Sequence, residues 1–419
     1  MAPRIFLGAC LLAVMAMPAG ADSRPITLDD AYALALADNP QLQTWMYRSR
    51  AALARKNEAA QPPPFEVGFD VENVAGNDST AGLKSAETTL TLSRVLERGD
   101  KAVLRGSLAD ARGMLVQTER DLDRLELLAD VAERFMHVVR DQQLLTVAES
   151  AVALAEAAQK EAHRRVKAGA APETESARAE IALANARLEL EHAEHELKAT
   201  RVSLASLWGE REPDFAQAQA DLSALPVPEA LSDIVRSLEG NPQLRRLAEQ
   251  RRIADARQQL AYAQGSADIR VMGGVRRREG TDDTSLIFGL SVPWGSAERA
   301  QPGIRASQAE AQAQERRYEV VRRELYAVVY ARYQEMVHAG TEVKALQEDI
   351  LPAATAALES IQAGYGRGRY GYIELASAQD DLIAQRRRAI HAAYRYHRHL
   401  IEIERLTGTA VAAPMRREQ

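Results

Sequence analysis

The sequence predicts a mainly α-helical protein with a small β part, built from long helices and duplicated internally. Two observations carry this. First, residues 166–180 return as residues 368–379. A glycine, Gly169 or Gly368, is followed six positions on by Glu175 or Glu374, then by Ala177 and Ala179 or by Ala376 and Ala378. Each copy lies between two long stretches of helical periodicity, and glycine permits the backbone turn that ends one helix before the next begins. Second, Asn39-Pro40-Gln41-Leu42 recurs as Asn241-Pro242-Gln243-Leu244, 202 positions later, close to the 199 that separate the two glycines. Two independent matches at nearly one offset point to a chain whose halves each carry a helical hairpin.

Residues 1–21 have the pattern of a secretory signal peptide: Arg4, a short apolar run over 5–17, and the small residues Ala19, Gly20 and Ala21 at a cleavage point. The run is too short for a transmembrane helix. Leu7-Gly8-Ala9-Cys10 has the look of a lipoprotein box but precedes most of the apolar core, which disfavours lipidation. Removing the leader takes away the one cysteine and Arg4, moving the net charge from −6 to −7. An exported chain without cysteine uses no disulfides, and an acid excess argues against nucleic acid as a partner. No later stretch reaches ~18 consecutive apolar residues, so no helix is expected to span a membrane.

The first half is set at 22–227. Thr27 caps a short helix over 28–37, a second helix runs to about residue 60, and Pro62-Pro63-Pro64 ends it. The period then changes from 3.6 to 2: Phe65, Val67, Phe69 and Val71 alternate with Glu66, Gly68, Asp70 and Glu72. Strands are expected over 65–75 and 86–96, with a polar loop between them. The second half, 228–408, repeats the order with a short helix, a helix to 264, and strands over 268–278 and 284–294. Four strands of this length with one apolar face fit either two soluble hairpins packed on helices or strands of an outer-membrane barrel, which needs ~9–11 residues per crossing.

A long hairpin completes each half, at 100–208 and 298–408, and residues 409–419 read as a flexible charged tail. No proline interrupts 100–167. As one helix that stretch runs about 100 Å at ~1.5 Å per residue, beyond any single globular core. Its partner over 173–207 carries Leu183, Leu190, Leu197 and Leu204 seven apart, and Ile181, Leu188, His195 and Val202 seven apart on the opposite flank. A two-stranded coiled coil needs one seam; two seams describe a stave in a wall of helices. In the second half Leu375, Leu382, Ala389, Tyr396 and Ile403 are again seven apart, and Pro352 is expected to kink or interrupt their partner over 306–363.

Catalytic signatures are absent, with no nucleophile elbow, phosphate loop, dinucleotide fingerprint or His-Glu-x-x-His, so neither an enzyme nor a cofactor is expected. His192 and His195 stand among Glu189, Glu191, Glu194 and Glu196 and could present a metal on one helical face; a solvated acidic face is the simpler account. His391, His397 and His399 are spaced six and two apart, which does not put three ligands on one face. They too are assigned to the surface, and no metal site is expected. Glu175 and Glu374 have two readings. An acid in a first helical turn offsets the helix dipole, whereas identical acids in a symmetric ring select cations.

Four amphipathic strands cannot close a barrel, and an open sheet edge in lipid leaves backbone groups unsatisfied. If the strands lie in a membrane, the chain must oligomerise. Three copies of four strands give about twelve, an even number as such barrels have, together with helices sticky on both flanks. The expected architecture is a long-helix α-barrel continuing into a 12-stranded outer-membrane β-barrel, formed by a trimer with four strands per chain.

With these pieces in place, the duplicated order resembles the outer membrane factor (TolC-like) family of trimeric efflux channels, across the mature chain. Tyr365-Gly-x-Gly368-x5-Glu374-Leu-Ala376-x-Ala378-Gln379 is similar to that family's second hairpin motif. The resemblance implies a homotrimer in outer-membrane lipid with its helical part in the periplasm. It also implies a tripartite system whose other members are a periplasmic membrane-fusion adaptor and an inner-membrane RND pump. It places Gly169, Glu175, Tyr365, Gly368, Glu374 and Ser377 at a periplasmic tip that serves as gate and adaptor-docking end. Ser377 stands where the family has a second acidic gate position. Residues 65–73 and 87–93, with Arg98-Gly-Asp-Lys101, resemble the heavy-metal (CzcC-like) branch, which implies export of cobalt-, zinc- or cadmium-type cations. Composition and spacing alone show no metal substrate. The alternatives are the same channel class exporting organic compounds or polypeptides, a periplasmic adaptor, and a structural coiled coil. An adaptor carries one hairpin, and a coiled coil leaves four strands unexplained.

Overall fold

The structure is a computed structural model and describes residues 24–408; the leader at 1–21 and the tail at 409–419 lie outside the described residues. The first half contains α1 (Leu28–Asp38), α2 (Pro40–Ala59), β1 (Phe65–Glu72), β2 (Glu87–Leu96), α3 (Lys101–Lys167) and α4 (Glu173–Ala205). The second contains α5 (Leu231–Ser237), α6 (Pro242–Gln264), β3 (Ile269–Arg278), β4 (Asp283–Ser291), α7 (Ser296–Ala345), α8 (Leu351–Gly366) and α9 (Tyr372–Thr407).

The repeated Asn-Pro-Gln-Leu does the same work twice. Asn39 Oδ1 accepts from the backbone N–H groups of Gln41 and Leu42 at 2.9 and 3.1 Å, capping α2, and its Nδ2 donates to the Leu207 carbonyl at 2.7 Å. Asn241 Oδ1 accepts from the Leu244 N–H at 3.0 Å, capping α6, and its Nδ2 donates to the Leu406 carbonyl. One side chain thus satisfies a helix start and ties it to the far end of that half's hairpin. Proline follows at the first helical position, where its missing N–H costs nothing. Thr27 caps α1 through a reciprocal pair with Asp30.

The long helices stand side by side. α3 packs along α2, α4, α6 and α9, α7 packs along α6 and α9, and α8 packs along α9. The wall therefore runs, nearest the sheet, in the order α2, α3, α6, α7, and at the far end in the order α4, α3, α9, α8. The two seams of α4 have separate fates. Ala179, Leu183, Leu197 and Leu204 are buried against α3, while Ile181, Leu188 and Val202 are 61%, 63% and 43% exposed, and His195 lies open among them.

α7 begins at Ser296, ahead of the expected start at 306, and holds Pro302 inside it. The interruption expected at Pro352 is a π-helical turn, Leu346–Ile350, immediately before α8. The proline ring would collide with the carbonyl four residues back, and the wider π turn opens the backbone at that place. It also moves the seam. Val329, Met336 and Val343 are buried at intervals of seven, Leu351 follows after eight, and Leu358 and Tyr365 resume the seven. One extra residue is absorbed, and α8 keeps its apolar stripe on α9.

The sheet has the order β1-β2-β3-β4, all antiparallel, with Val67 opposite Leu92, Leu92 opposite Gly273, and Gly273 opposite Phe288. This register gathers Phe65, Val67, Phe69, Val71, Leu90, Leu92, Val271, Val275, Leu286, Phe288 and Leu290 on one face. All of them are 36% to 81% exposed. Hairpins packed on helices would bury these side chains, so that alternative does not describe the sheet. The opposite face is charged and internally paired. Arg270 bonds Glu66, Arg276 bonds Glu72 and Glu87 at 3.2 Å each and donates to Thr89 Oγ1 at 3.0 Å, and Arg278 reaches Glu87 at 3.6 Å.

One assignment is corrected. His391 and His192 are exposed, but His397 and His399 are 3% and 4% exposed and belong to the interior. The segment between the halves folds over α9: His397 Nε2 meets the Leu222 carbonyl at 3.1 Å, and the Tyr396 hydroxyl donates to the Pro226 carbonyl. A covering strap without periodicity of its own leaves no mark in the pattern of the helix beneath it.

Candidate functional site

At the end away from the sheet, α3 and α8 stop in the same way. Gly169 and Gly368 have φ of +71° and +74°. The N–H of Ala170 bonds the Arg165 carbonyl at 2.9 Å, and the N–H of Arg369 bonds the Gly364 carbonyl at 2.9 Å. Both are left-handed helix ends that satisfy the last carbonyls, and a side chain at either glycine would be strained. The two turns lie together. Arg165 Nη1 donates to the Tyr365 carbonyl at 3.0 Å, and its guanidinium sits 4.3 Å from the centroid of the Tyr365 ring.

Tyr365 is the last member of the α8 seam and is 1% exposed. Its hydroxyl donates to Glu175 Oε2 at 3.1 Å, joining α8 to the first turn of α4 across the molecule. Burial, and then the Glu175 carboxylate, push the phenol up to about 12, so it stays a donor at any physiological pH. The ring also meets Tyr372 edge-on at 6.4 Å, and Gln379 donates to the Leu154 carbonyl at 3.2 Å one to two turns further along α9.

Glu374 occupies the place in the second half that Glu175 occupies in the first, yet its bonding differs. Its Oε2 accepts from the Gly371 N–H at 3.1 Å and so closes the start of α9, with the side chain exposed. Ser377, also exposed, lines with Glu374, Asp349 and Asp381 a shallow groove between α8 and α9. Of the six residues singled out from the sequence, Glu175 and Tyr365 are bonded to each other. Gly169 and Gly368 shape the turns beside them, and Glu374 and Ser377 face another way. Arg165 was missed. Its position in a last helical turn reads as an ordinary partner for the dipole, and its contact with Tyr365 lies 200 positions away.

Chemically, the arrangement is a non-covalent clasp, one hydroxyl–carboxylate bond backed by a cation over a ring. Among the described residues no group of three or more His, Cys, Asp or Glu side chains could hold a metal ion. Nor is any described helix long and apolar enough to cross a membrane.

The sequence matches the family described as outer membrane efflux protein over residues 31–210 and 234–409, one match in each half. The chain belongs to this family. It is 26% identical over 387 residues to the cobalt-zinc-cadmium resistance protein CzcC of Cupriavidus metallidurans, covering 92% of this chain and 90% of that protein. It is 23% identical over 326 residues to the nickel-cobalt-cadmium resistance protein NccC of Alcaligenes xylosoxydans xylosoxydans, covering 78% of this chain and 73% of that one. Its fold is similar to that of CusC, with a TM-score of 0.77 at 17% identity over 91% of this chain and 92% of that one.

Proposed function

We propose that this outer-membrane efflux protein is the passive exit duct of a tripartite pump, a homotrimer that carries heavy-metal cations of the cobalt, zinc and cadmium type. The observation behind this reading is that the protomer is unfinished along both sides at every level. β1 and β4 each pair on one side only. The α4 flank leaves Ile181 and Leu188 open, and the other end of the wall leaves Tyr326, Tyr330 and Val337 of α7 open.

β1 and β4 run in opposite directions, so β4 of one copy can pair antiparallel with β1 of the next and continue the sheet without a fault. Two copies would make about eight strands, a barrel whose interior its own side chains fill, whereas about twelve leave a duct. The apolar face then meets lipid and the paired arginines and acids meet water. On this reading the α4 flank of one copy packs on the α7–α8 flank of its neighbour, extending the tube through the periplasm. The Tyr365–Glu175 clasp holds each α8–α9 hairpin against α3–α4 and keeps the far end shut. Glu374, Ser377 and the two glycine turns face the periplasmic adaptor, and the inner-membrane pump works through that adaptor. The duct performs no catalysis. The metal cargo is supported by the resistance named for CzcC and NccC; a conduit needs no ligand set of its own.

The test is tolerance to cobalt, zinc and cadmium in cells with and without the intact chain, together with the mass of the detergent-extracted protein. Lost metal tolerance and a trimer are expected. Lost tolerance to organic compounds alone would replace the cargo, and a water-soluble monomer would remove the duct.

A further inference from the structure

The four strands carry five arginines, Arg94 on β2 and Arg270, Arg276, Arg277 and Arg278 on β3. Four are neutralised: the three on the charged face as described, and Arg277 by Glu279 and Asp282. Arg94 is the exception. Among the described residues it has no carboxylate partner and donates no hydrogen bond, and its Nε is buried without an acceptor.

Its position determines what could accept from it. The register sets Arg94 opposite Phe65 on β1 and Val271 on β3, in a row that continues to Leu290 on β4. That row belongs to the apolar face. It lies two residues before the end of β2 at Leu96, about 7 Å along the strand, at the rim next to the helices. The guanidinium is held 4.7 Å from the centroid of the Phe65 ring, which fixes the fork in place. Across the same face, at the opposite rim, Arg277 is closed off by its two acids. A neighbouring copy brings no acceptor either, since β4 presents Leu286, Phe288 and Leu290 on this face and no acid. Trp294, wholly exposed just beyond β4, marks the same rim as a membrane boundary.

A guanidinium facing hydrocarbon is unfavourable, but at the boundary it meets phosphate, whose oxygens match its planar set of donors. We propose that Arg94 is a lipid-phosphate site, one per protomer, binding a glycerophospholipid headgroup in the leaflet that faces the periplasm. This rests on the barrel reading above. The site fixes the depth of the barrel in the membrane, because a ligand of defined height is bound at one ring of three equivalent positions.

The test uses the full chain extracted in detergent, with native mass spectrometry titrations of phosphatidylglycerol, of phosphatidylethanolamine and, separately, of inorganic phosphate. Arg94→Met is expected to weaken phospholipid binding at least fivefold. Arg94→Lys, which keeps the charge and loses the planar fork, should bind more weakly than the parent and more tightly than Arg94→Met, and Arg277→Met should leave binding unchanged. Equal lipid affinity for the parent and Arg94→Met overturns the site. Inorganic phosphate bound as tightly as the lipids, and lost equally in Arg94→Met, overturns the lipid assignment. A parent protein that is a monomer without detergent removes the barrel reading and this site together, whereas a trimer with unchanged lipid binding removes the site alone.

Discussion

Replacing Tyr365 by phenylalanine removes one oxygen and leaves the ring in its seam, so no cavity opens and the contact with Arg165 persists. What disappears is the 3.1 Å bond to Glu175. A hydrogen bond to a charged acceptor is worth ~1.5–3 kcal/mol net. Glu175 is half-buried and water can partly replace the donor, which places the loss near the bottom of that range, about 1–1.5 kcal/mol. At ~1.4 kcal/mol per tenfold, one protomer's tip should open roughly five to ten times more often. If three tips must release together, the combined loss of ~3–4.5 kcal/mol multiplies the open population by roughly a hundred to a thousand. Single-channel recordings in planar bilayers read this directly. Glu175→Ala removes the acceptor from the other side, and the double variant should be no more open than either single one, because both remove the same bond. An open probability equal to the parent's in folded Tyr365→Phe trimers would refute the clasp, and so would two effects that simply add.

Other expectations follow from neighbouring features. Glu374→Ala removes the acceptor at the start of α9 and should cost about 1 kcal/mol of local stability; in the same recordings its effect on opening should be smaller than that of Tyr365→Phe. Leu188→Glu changes a side chain that is 63% exposed in the protomer, so the chain should still fold while light scattering in detergent reports monomers instead of trimers. Burial, and then the charge of Glu229, push the Glu404 carboxyl up to about 7, and its Oε2 has no hydrogen-bond partner among the described residues. A folded state that holds its proton more tightly than the unfolded one is most stable below about pH 4.5, weakens through about pH 7 and is level above. Glu404→Gln should therefore add on the order of 3 kcal/mol of stability at pH 8, read as a higher thermal midpoint, and leave the midpoint unchanged at pH 4.

Much of this fold was legible because its periods are simple. Alternation from Phe65 to Glu72 set the two faces of β1, and the heptad spacing of α4 separated a seam that finds α3 from one that finds no partner among the described residues. The Asn-Pro-Gln-Leu repeat was legible as a recurrence, although the asparagines' two bonds, to the helix start and to the far end of each half, were not. The acids show why a repeat can mislead. Glu175 and Glu374 share an offset from their glycines, but only the first has a buried tyrosine within reach, and that tyrosine comes from the other half of the chain. His397 was placed outside because a helix pattern records its own stripes and not the aperiodic strap laid over them, and His399 because its neighbours Arg332 and Glu335 come from α7. Pro352 announced a disturbance without saying what form it would take, since a kink and a π turn both accommodate the missing N–H and clear the ring from the carbonyl four residues back.

The bulged turn at Leu346–Ile350 works as a phase corrector. Each residue turns a helix by ~100°, so a one-residue deletion in most of α7 or α8 would swing everything beyond it off its neighbour. Removing Gln347 should instead restore the spacing of seven between Val343 and Leu351 and keep both ends in step, with Pro352 leaving a kink where the π turn had been. The molecule thus holds one spare position, placed between the rod that packs along α6 and the segment that carries the Tyr365 clasp.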